Sequence, residues 1–116
     1  MFELLIAVFF AGMGLYALAA PAAMLRPFGV TLDTGTARSE VRAVYGGFGL
    51  AIAAVLVYAS RVPEVRTGVL ITVGAALSGM AAGRVVSVFD ERTAFYPNWF
   101  YCLVEAVAAA ALFGAV

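Results

Sequence analysis

The chain has 116 residues, 65% of them hydrophobic and 12% charged, a balance that a soluble domain of this length cannot cover with a polar surface. Seven basic residues, all arginine, and seven acidic ones leave a formal net charge of zero without any histidine, which excludes electrostatic capture of nucleic acid. One cysteine, Cys102, excludes an intrachain disulfide and any Cys/His metal site of familiar spacing, so neither metal nor cofactor is expected.

Crossing a hydrocarbon core takes roughly 20 apolar residues as helix. The chain offers four such runs, two free of charge and two with a single charge inside. From Leu4 to Leu25 the only strongly polar side chain is Tyr16. This first run begins Met1-Phe2-Glu3, without the basic start of a secretory leader, and is expected to be a retained helix although Ala17-Leu18-Ala19 has the spacing of a cleavage site. The second run is Ala43 to Ser60, the third Thr67 to about Phe89 with Arg84 inside, and the fourth Trp99 to Val116 with Glu105 inside. The fold class expected is all-α: an integral membrane four-helix bundle, antiparallel and up-and-down, in one domain with helices over about 2–25, 40–60, 67–89 and 97–116.

Between the first two helices, Pro21, Pro27, Gly29, Asp33, Thr34 and Gly35 mark the longest connection, and Ser39 is placed as the N-cap of the second helix with Glu40 in its first turn. Arg61 to Arg66 leaves room only for a tight return between neighbours. The last connection, Asp90 to Asn98, runs into Trp99, Phe100 and Tyr101, an aromatic group suited to the headgroup level of a bilayer. An even number of spans puts both termini on one side, and the arginine balance, Arg26, Arg38, Arg42 and Arg92 against Arg61 and Arg66, points to termini outside the cytoplasm.

Small residues recur every four positions in three spans: Ala43, Gly47 and Ala51; Ala75, Gly79, Gly83 and Ser87; Cys102, Ala106, Ala110 and Gly114. These stripes are expected to form the close helix contacts, or a surface for a homo-oligomer or partner membrane subunit.

The charges inside the spans carry the functional argument. Arg84 lies about 9 Å along its helix from Asp90, and Glu105 about 12 Å from Pro97, so consecutive antiparallel helices bring them to one depth. An ionised side chain there costs roughly 2.5–3.5 kcal/mol on the lenient insertion scale unless it faces the protein and finds a partner. A direct ion pair is predicted. Arg42 and Tyr45 enter from the same side, giving a pocket of Arg42, Tyr45, Arg84, Ser87 and Glu105, with Glu40 and Asp90 at its mouth. The blander reading is that the ion pair pins two helices while Arg42 snorkels to the headgroups. Arg61, Glu64, Arg66, Glu91 and Arg92 read as solvated loop charges, Glu3 as interfacial, and Gly46-Gly47-Phe48-Gly49 as packing rather than a phosphate loop.

The arrangement of Pro21, Pro27-Phe28-Gly29, Ser39-Glu40-Val41-Arg42-Ala43-Val44-Tyr45-Gly46-Gly47, Gly83-Arg84-Val85-Val86-Ser87 and Glu105 resembles a bacterial membrane family known as domain of unknown function 4345, over nearly the whole chain. That resemblance implies a four-helix, multi-pass protein of the bacterial inner membrane and supplies no activity. The pocket admits three functions. The first is binding of a lipid-like or isoprenoid molecule, or an accessory role, with arginines receiving an anionic or carbonyl head. The second is proton-coupled or ion transport through Glu105. The third is an intramembrane enzyme with Glu105 as acid or base and Tyr45 stabilising an oxyanion, for which no nucleophile-base pair or cofactor motif is present, so an enzyme is the less favoured reading.

Overall fold

Helix is the only regular structure formed by the residues that the computed structural model describes, 2–116. Six α-helices follow in order: α1 (Phe2–Ala19), α2 (Pro21–Leu25), α3 (Gly35–Val41), α4 (Phe48–Arg61), α5 (Pro63–Val86) and α6 (Phe100–Gly114). A π turn, Arg42–Gly47, joins α3 to α4, a 3-10 turn, Ser87–Phe89, extends α5, and a second π turn, Phe95–Trp99, leads into α6. Four continuous helices are thereby long and apolar enough to cross a membrane: Phe2–Ala19, Gly35–Arg61, Pro63–Phe89 and Phe95–Gly114, of 18, 27, 27 and 20 residues.

Several helix ends differ from those read in the sequence, each for a local reason. The first helix stops at Ala19 instead of running to Leu25. Pro21 has no N–H to donate to the preceding turn, and Ala20 swings out of helical geometry (φ −142°, ψ 64°) before the short α2 begins. Gly29, at φ +75°, then closes the segment by donating its N–H to the Arg26 carbonyl, in a backbone conformation that side chains resist. Thr34, not Ser39, caps the second long helix: it is extended, and its hydroxyl accepts from the Ala37 N–H at 3.0 Å. The third begins at Pro63, whose fixed φ and missing N–H suit a first helical position, with Glu64 beside it in the first turn. Only Val62 separates it from α4.

The chain divides into two compact units, Glu3–Arg61 and Val62–Val116. In the first, the buried positions of α1 are Glu3, Ala7, Gly14 and Ala17, and those of α4 are Gly49, Ala53, Leu56 and Ala59. Alternating steps of three and four residues keep such positions on one line of a helix, whereas a strict four-residue repeat drifts around it. The small-residue stripes therefore do not form the core. Ala43, Gly47 and Ala51 are exposed, while Val41 and Gly46, five residues apart across the π turn, are buried. The wider π turn is what brings a five-residue step to one side. Backbones meet where Gly14 faces Gly46: a Cβ on Gly14 would lie 2.9 Å from the Gly46 carbonyl oxygen.

In the second unit α5 buries Leu70, Val73, Gly74, Leu77 and Ala81, and α6 buries Cys102, Glu105, Ala109 and Leu112. Ala75, Gly79, Gly83 and Ser87 are exposed, as are Ala106, Ala110 and Gly114, so of the stripes read from the sequence only Cys102 is buried. Larger side chains win these seams because Leu70 and Leu112 remove more apolar surface than glycine or alanine can. Contacts descend one helix as they climb the other. Arg66 Nη1 donates to the Ala115 carbonyl at 3.0 Å, the ring of Phe113 covers Gly74, and Cys102 Sγ donates to the Ala81 carbonyl at 3.6 Å. Arg66, read as a solvated loop charge, thus holds the end of α6. Glu3, read as interfacial, is buried.

Candidate functional site

Arg84 follows Ala81 by three residues and Glu105 follows Cys102 by three, so both charges continue the buried seams of α5 and α6 instead of leaving them. They meet. Arg84 Nε donates to Glu105 Oε1 at 2.8 Å and Nη2 donates to Oε2 at 3.0 Å, the two-point geometry in which a planar guanidinium matches a carboxylate. The Arg84 side chain retains 23% of its exposure and that of Glu105 only 6%, so the acid is sunk in the seam and the base lies at its edge. The face of Tyr101, one turn before Glu105, lies 5.7 Å from the guanidinium carbon and adds a cation–π contact of about 0.5–1 kcal/mol. The chemical result is a buried carboxylate neutralised by an arginine that lies at the edge of the seam.

One turn beyond Arg84, the 3-10 turn after α5, the connection that follows and the π turn before α6 surround a cavity of about 220 Å³ lined by Ser87, Val88, Glu91, Arg92, Thr93, Asn98 and Trp99. Ser87, a predicted site residue, lies in this wall and donates from Oγ to the Gly83 carbonyl at 3.4 Å. Asp90, placed at the mouth, is exposed, and its N–H donates to the Ser87 carbonyl at 3.0 Å. The Nδ2 of Asn98 is fully buried and donates to nothing among the described residues. A buried donor left unmade costs roughly 1–3 kcal/mol. Cis geometry at Tyr96–Pro97 and an extended Tyr96 shape the chain entering this wall.

The remaining predicted residues belong to the first unit. Arg42 donates from Nε to the carbonyl of Leu18 at 3.0 Å. Leu18 lies in the last turn of α1, where the helical ladder stops after the Ala20 N–H donates to the Tyr16 carbonyl and Pro21 offers no N–H to Ala17, and the arginine serves the Leu18 carbonyl there. Tyr45, in the π turn, is 44% exposed, and Glu40 is exposed on α3. Hence Arg84 and Glu105 are in contact with one another, Ser87 lines the neighbouring cavity, and Arg42 has a backbone role that the sequence reading did not include. Its trace in the sequence is a proline directly after an apolar run, which predicts orphaned carbonyls and hence a donor to serve them. The cavity residues Arg92, Thr93 and Asn98 were also missed as a set. Their trace is a polar residue, Asn98, one helical step before Cys102 and Glu105 on the line that α6 buries.

No curated protein and no solved structure matches the chain. A family model does, over residues 1–116, under the description domain of unknown function (DUF4345). With the whole length matched, the chain belongs to the DUF4345 family.

Proposed function

We propose that this chain is a multi-pass protein of the bacterial inner membrane, its successive spans crossing in alternating directions, and that it binds a lipid-like molecule at Arg84 and Glu105. Support for the membrane setting comes from what the helices leave outside. Phe2, Leu5, Val8, Leu15, Phe48, Tyr58, Val86, Phe89 and Val107 are all more than half exposed, apolar area that water would penalise and lipid tails accept. The connection of five residues between Phe89 and Phe95 is too short to recross the layer, which favours a return by the last span.

The observation that carries the binding reading is the asymmetry of the ion pair. Glu105 is buried and satisfied through two oxygens by Arg84, whereas the arginine stays partly open, one turn from a polar cavity and among exposed apolar residues such as Val85, Val86 and Leu103. A cation held rigidly by its counter-ion at the edge of an apolar surface suits the anionic or carbonyl head of an amphiphile whose tail lies along α5 and α6.

The test combines fractionation with lipid analysis. The protein should stay with membranes through alkaline carbonate washing and leave only with detergent. Purified in a neutral maltoside detergent, it should carry a lipid-like molecule at a fixed stoichiometry by native mass spectrometry. The double variant Arg84→Gln/Glu105→Gln, which removes both charges but keeps hydrogen-bonding side chains, should lose that molecule at unchanged helicity. Release by carbonate alone would overturn the membrane setting, and undiminished co-purification with the double variant would overturn the binding site.

A further inference from the structure

Arg84 and Glu105 cancel each other's charge before any ligand arrives. Both carboxylate oxygens accept from the guanidinium, from Nε at 2.8 Å and from Nη2 at 3.0 Å, so the pair is neutral as a unit. Tyr101, whose ring centroid is 5.7 Å from the guanidinium carbon, adds no charge. The other ionic groups at this end of the second unit are Asp90, Glu91 and Arg92, all exposed, so two arginines stand against three carboxylates. A phosphate or carboxylate head would add to a balance that is already negative.

Depth argues in the same direction. In the membrane setting proposed above, the exposed charges of Asp90, Glu91 and Arg92 belong with water, and Arg84 lies six residues before Asp90, roughly 9 Å back along the helix. A headgroup layer is only about 5–7 Å thick on each side, half the difference between a bilayer's full thickness and its hydrocarbon core. The guanidinium therefore sits at the margin of the hydrocarbon, below the phosphates, and Glu105 holds it there against snorkelling toward them. An ion brought to that depth loses its solvation and meets a pair that is already balanced. An uncharged carbonyl gives up little and accepts a hydrogen bond from an ionised donor, which is stronger than one from a neutral donor. The Arg84 side chain keeps 23% of its exposure, and Glu105 engages two of the five N–H groups that a guanidinium carries.

We propose, resting on the lipid-binding reading of this pair, that the head it takes is uncharged and bears a carbonyl, the ester of a diacylglycerol or the ring ketone of an isoprenoid quinone, and not an anionic phosphate. Glu105 sets that choice by cancelling the charge of Arg84 while leaving its hydrogen-bonding character. It is a positioning and specificity-determining residue that acts through the arginine.

Native mass spectrometry of the full-length protein in a neutral maltoside detergent reads the binding of dioctanoylglycerol, decylubiquinone and dioctanoyl phosphatidic acid, the last differing from the first only by its phosphate. At least one uncharged probe should bind roughly ten-fold or more tightly than the phosphatidic acid, and the one that does so identifies the source of the carbonyl. Glu105→Gln keeps the shape of the side chain but leaves the arginine charge uncancelled, so the order should invert, with phosphatidic acid bound roughly ten-fold more tightly than either uncharged probe. Should Glu105→Gln fail to fold, the order of the probes on the wild-type protein still decides between the heads.

Phosphatidic acid bound by the wild type as tightly as the uncharged probes, or an order that Glu105→Gln leaves unchanged, would overturn the proposal. The double variant Arg84→Gln/Glu105→Gln separates that failure from failure of the site. Phosphatidic acid that binds the wild type and is lost from the double variant keeps the pair as the lipid site while removing the uncharged head. Probes that bind the double variant as they bind the wild type, or no probe bound by either, would remove the site and the choice of head together.

Discussion

Gly14 packs against the Gly46 carbonyl, and Gly46 in turn packs against the side chain of Leu18, so neither has room for a Cβ. A Cβ on Gly14 would lie 2.9 Å from the Gly46 carbonyl oxygen and 3.0 Å from Leu50 Cγ, and one on Gly46 would lie 2.7 Å from Leu18 Cδ2. The obstacle at Gly14 is backbone, which cannot step aside as a side-chain tip can. Gly14→Val is therefore expected to force α1 away from its partner in the first unit and to cost about 1–3 kcal/mol, the usual penalty of overpacking. Gly12, two residues earlier on the same helix, has nothing within 4 Å of a built Cβ. Gly12→Ala should be neutral or stabilising by about 0.5–1 kcal/mol through its better helix propensity. Thermal unfolding followed by circular dichroism in detergent measures both, and equal midpoints for the two variants would refute the close-approach argument.

The Arg84–Glu105 pair calls for a cycle of variants rather than one substitution. Removing Arg84 alone leaves a buried, uncompensated carboxylate at Glu105, and removing Glu105 alone leaves a half-buried guanidinium, each worth roughly 3–5 kcal/mol of destabilisation. Arg84→Met/Glu105→Leu removes both charges and keeps the volume, so the double variant should recover most of that loss. Denaturant midpoints of the four proteins decide it. Losses that simply add would mean that the two groups do not depend on each other.

At Arg42 the prediction concerns geometry more than charge. Its Nε reaches the Leu18 carbonyl 24 residues earlier, and the side chain is exposed, so the contact acts as a staple across the break at Pro21. Arg42→Lys keeps the charge but offers an ammonium on a different stem in place of a side-on N–H. About 1 kcal/mol should be lost, with faster amide exchange at Met24 and Leu25, whose short helix depends on the end of α1 being held. Exchange rates in that segment identical to wild type would exclude the staple.

Much of this architecture is legible in the sequence. Four apolar runs, the prolines and the opposed charges at Arg84 and Glu105 gave the helices and the ion pair, because length and the cost of a lone charge in an apolar run leave few alternatives. The seams were not legible in the same way. A four-residue count of glycine and alanine picked Gly79 and Gly83, which are exposed, since composition supplies such stripes by chance, and packing selects instead for the larger area of Leu70, Val73 and Leu77. The π turn at Arg42–Gly47 also shifts the face of every later residue, and nothing in Arg-Ala-Val-Tyr-Gly-Gly declares it. The cavity was hidden for another reason. Its wall comes from both ends of a connection whose path depends on tertiary packing, so Ser87 and Asn98 share a space that no local pattern encodes.

Cys102 supplies a reporter for the second unit without any added label. Its thiol is buried and donates to the Ala81 carbonyl at 3.6 Å, and it is the only cysteine, so reaction with a maleimide reports one event, the parting of α5 from α6. Wild-type protein in detergent should react at least ten-fold more slowly than in denaturant, since burial blocks the attack that the thiolate would otherwise make. Gly74→Leu tests the seam from its other end. A Cβ there would already lie 3.1 Å from Phe113 Cζ, and a leucine must displace the whole ring. Loss of that contact weakens the helix pair along its length, and Cys102 labelling should accelerate several-fold although residue 74 lies about two turns along α5 from Ala81, whose carbonyl the thiol meets. Labelling of the wild type as rapid as in denaturant, or insensitive to Gly74→Leu, would mean that α5 and α6 do not close as one cooperative seam, and the anchored position of Arg84 on Glu105 would lose its support.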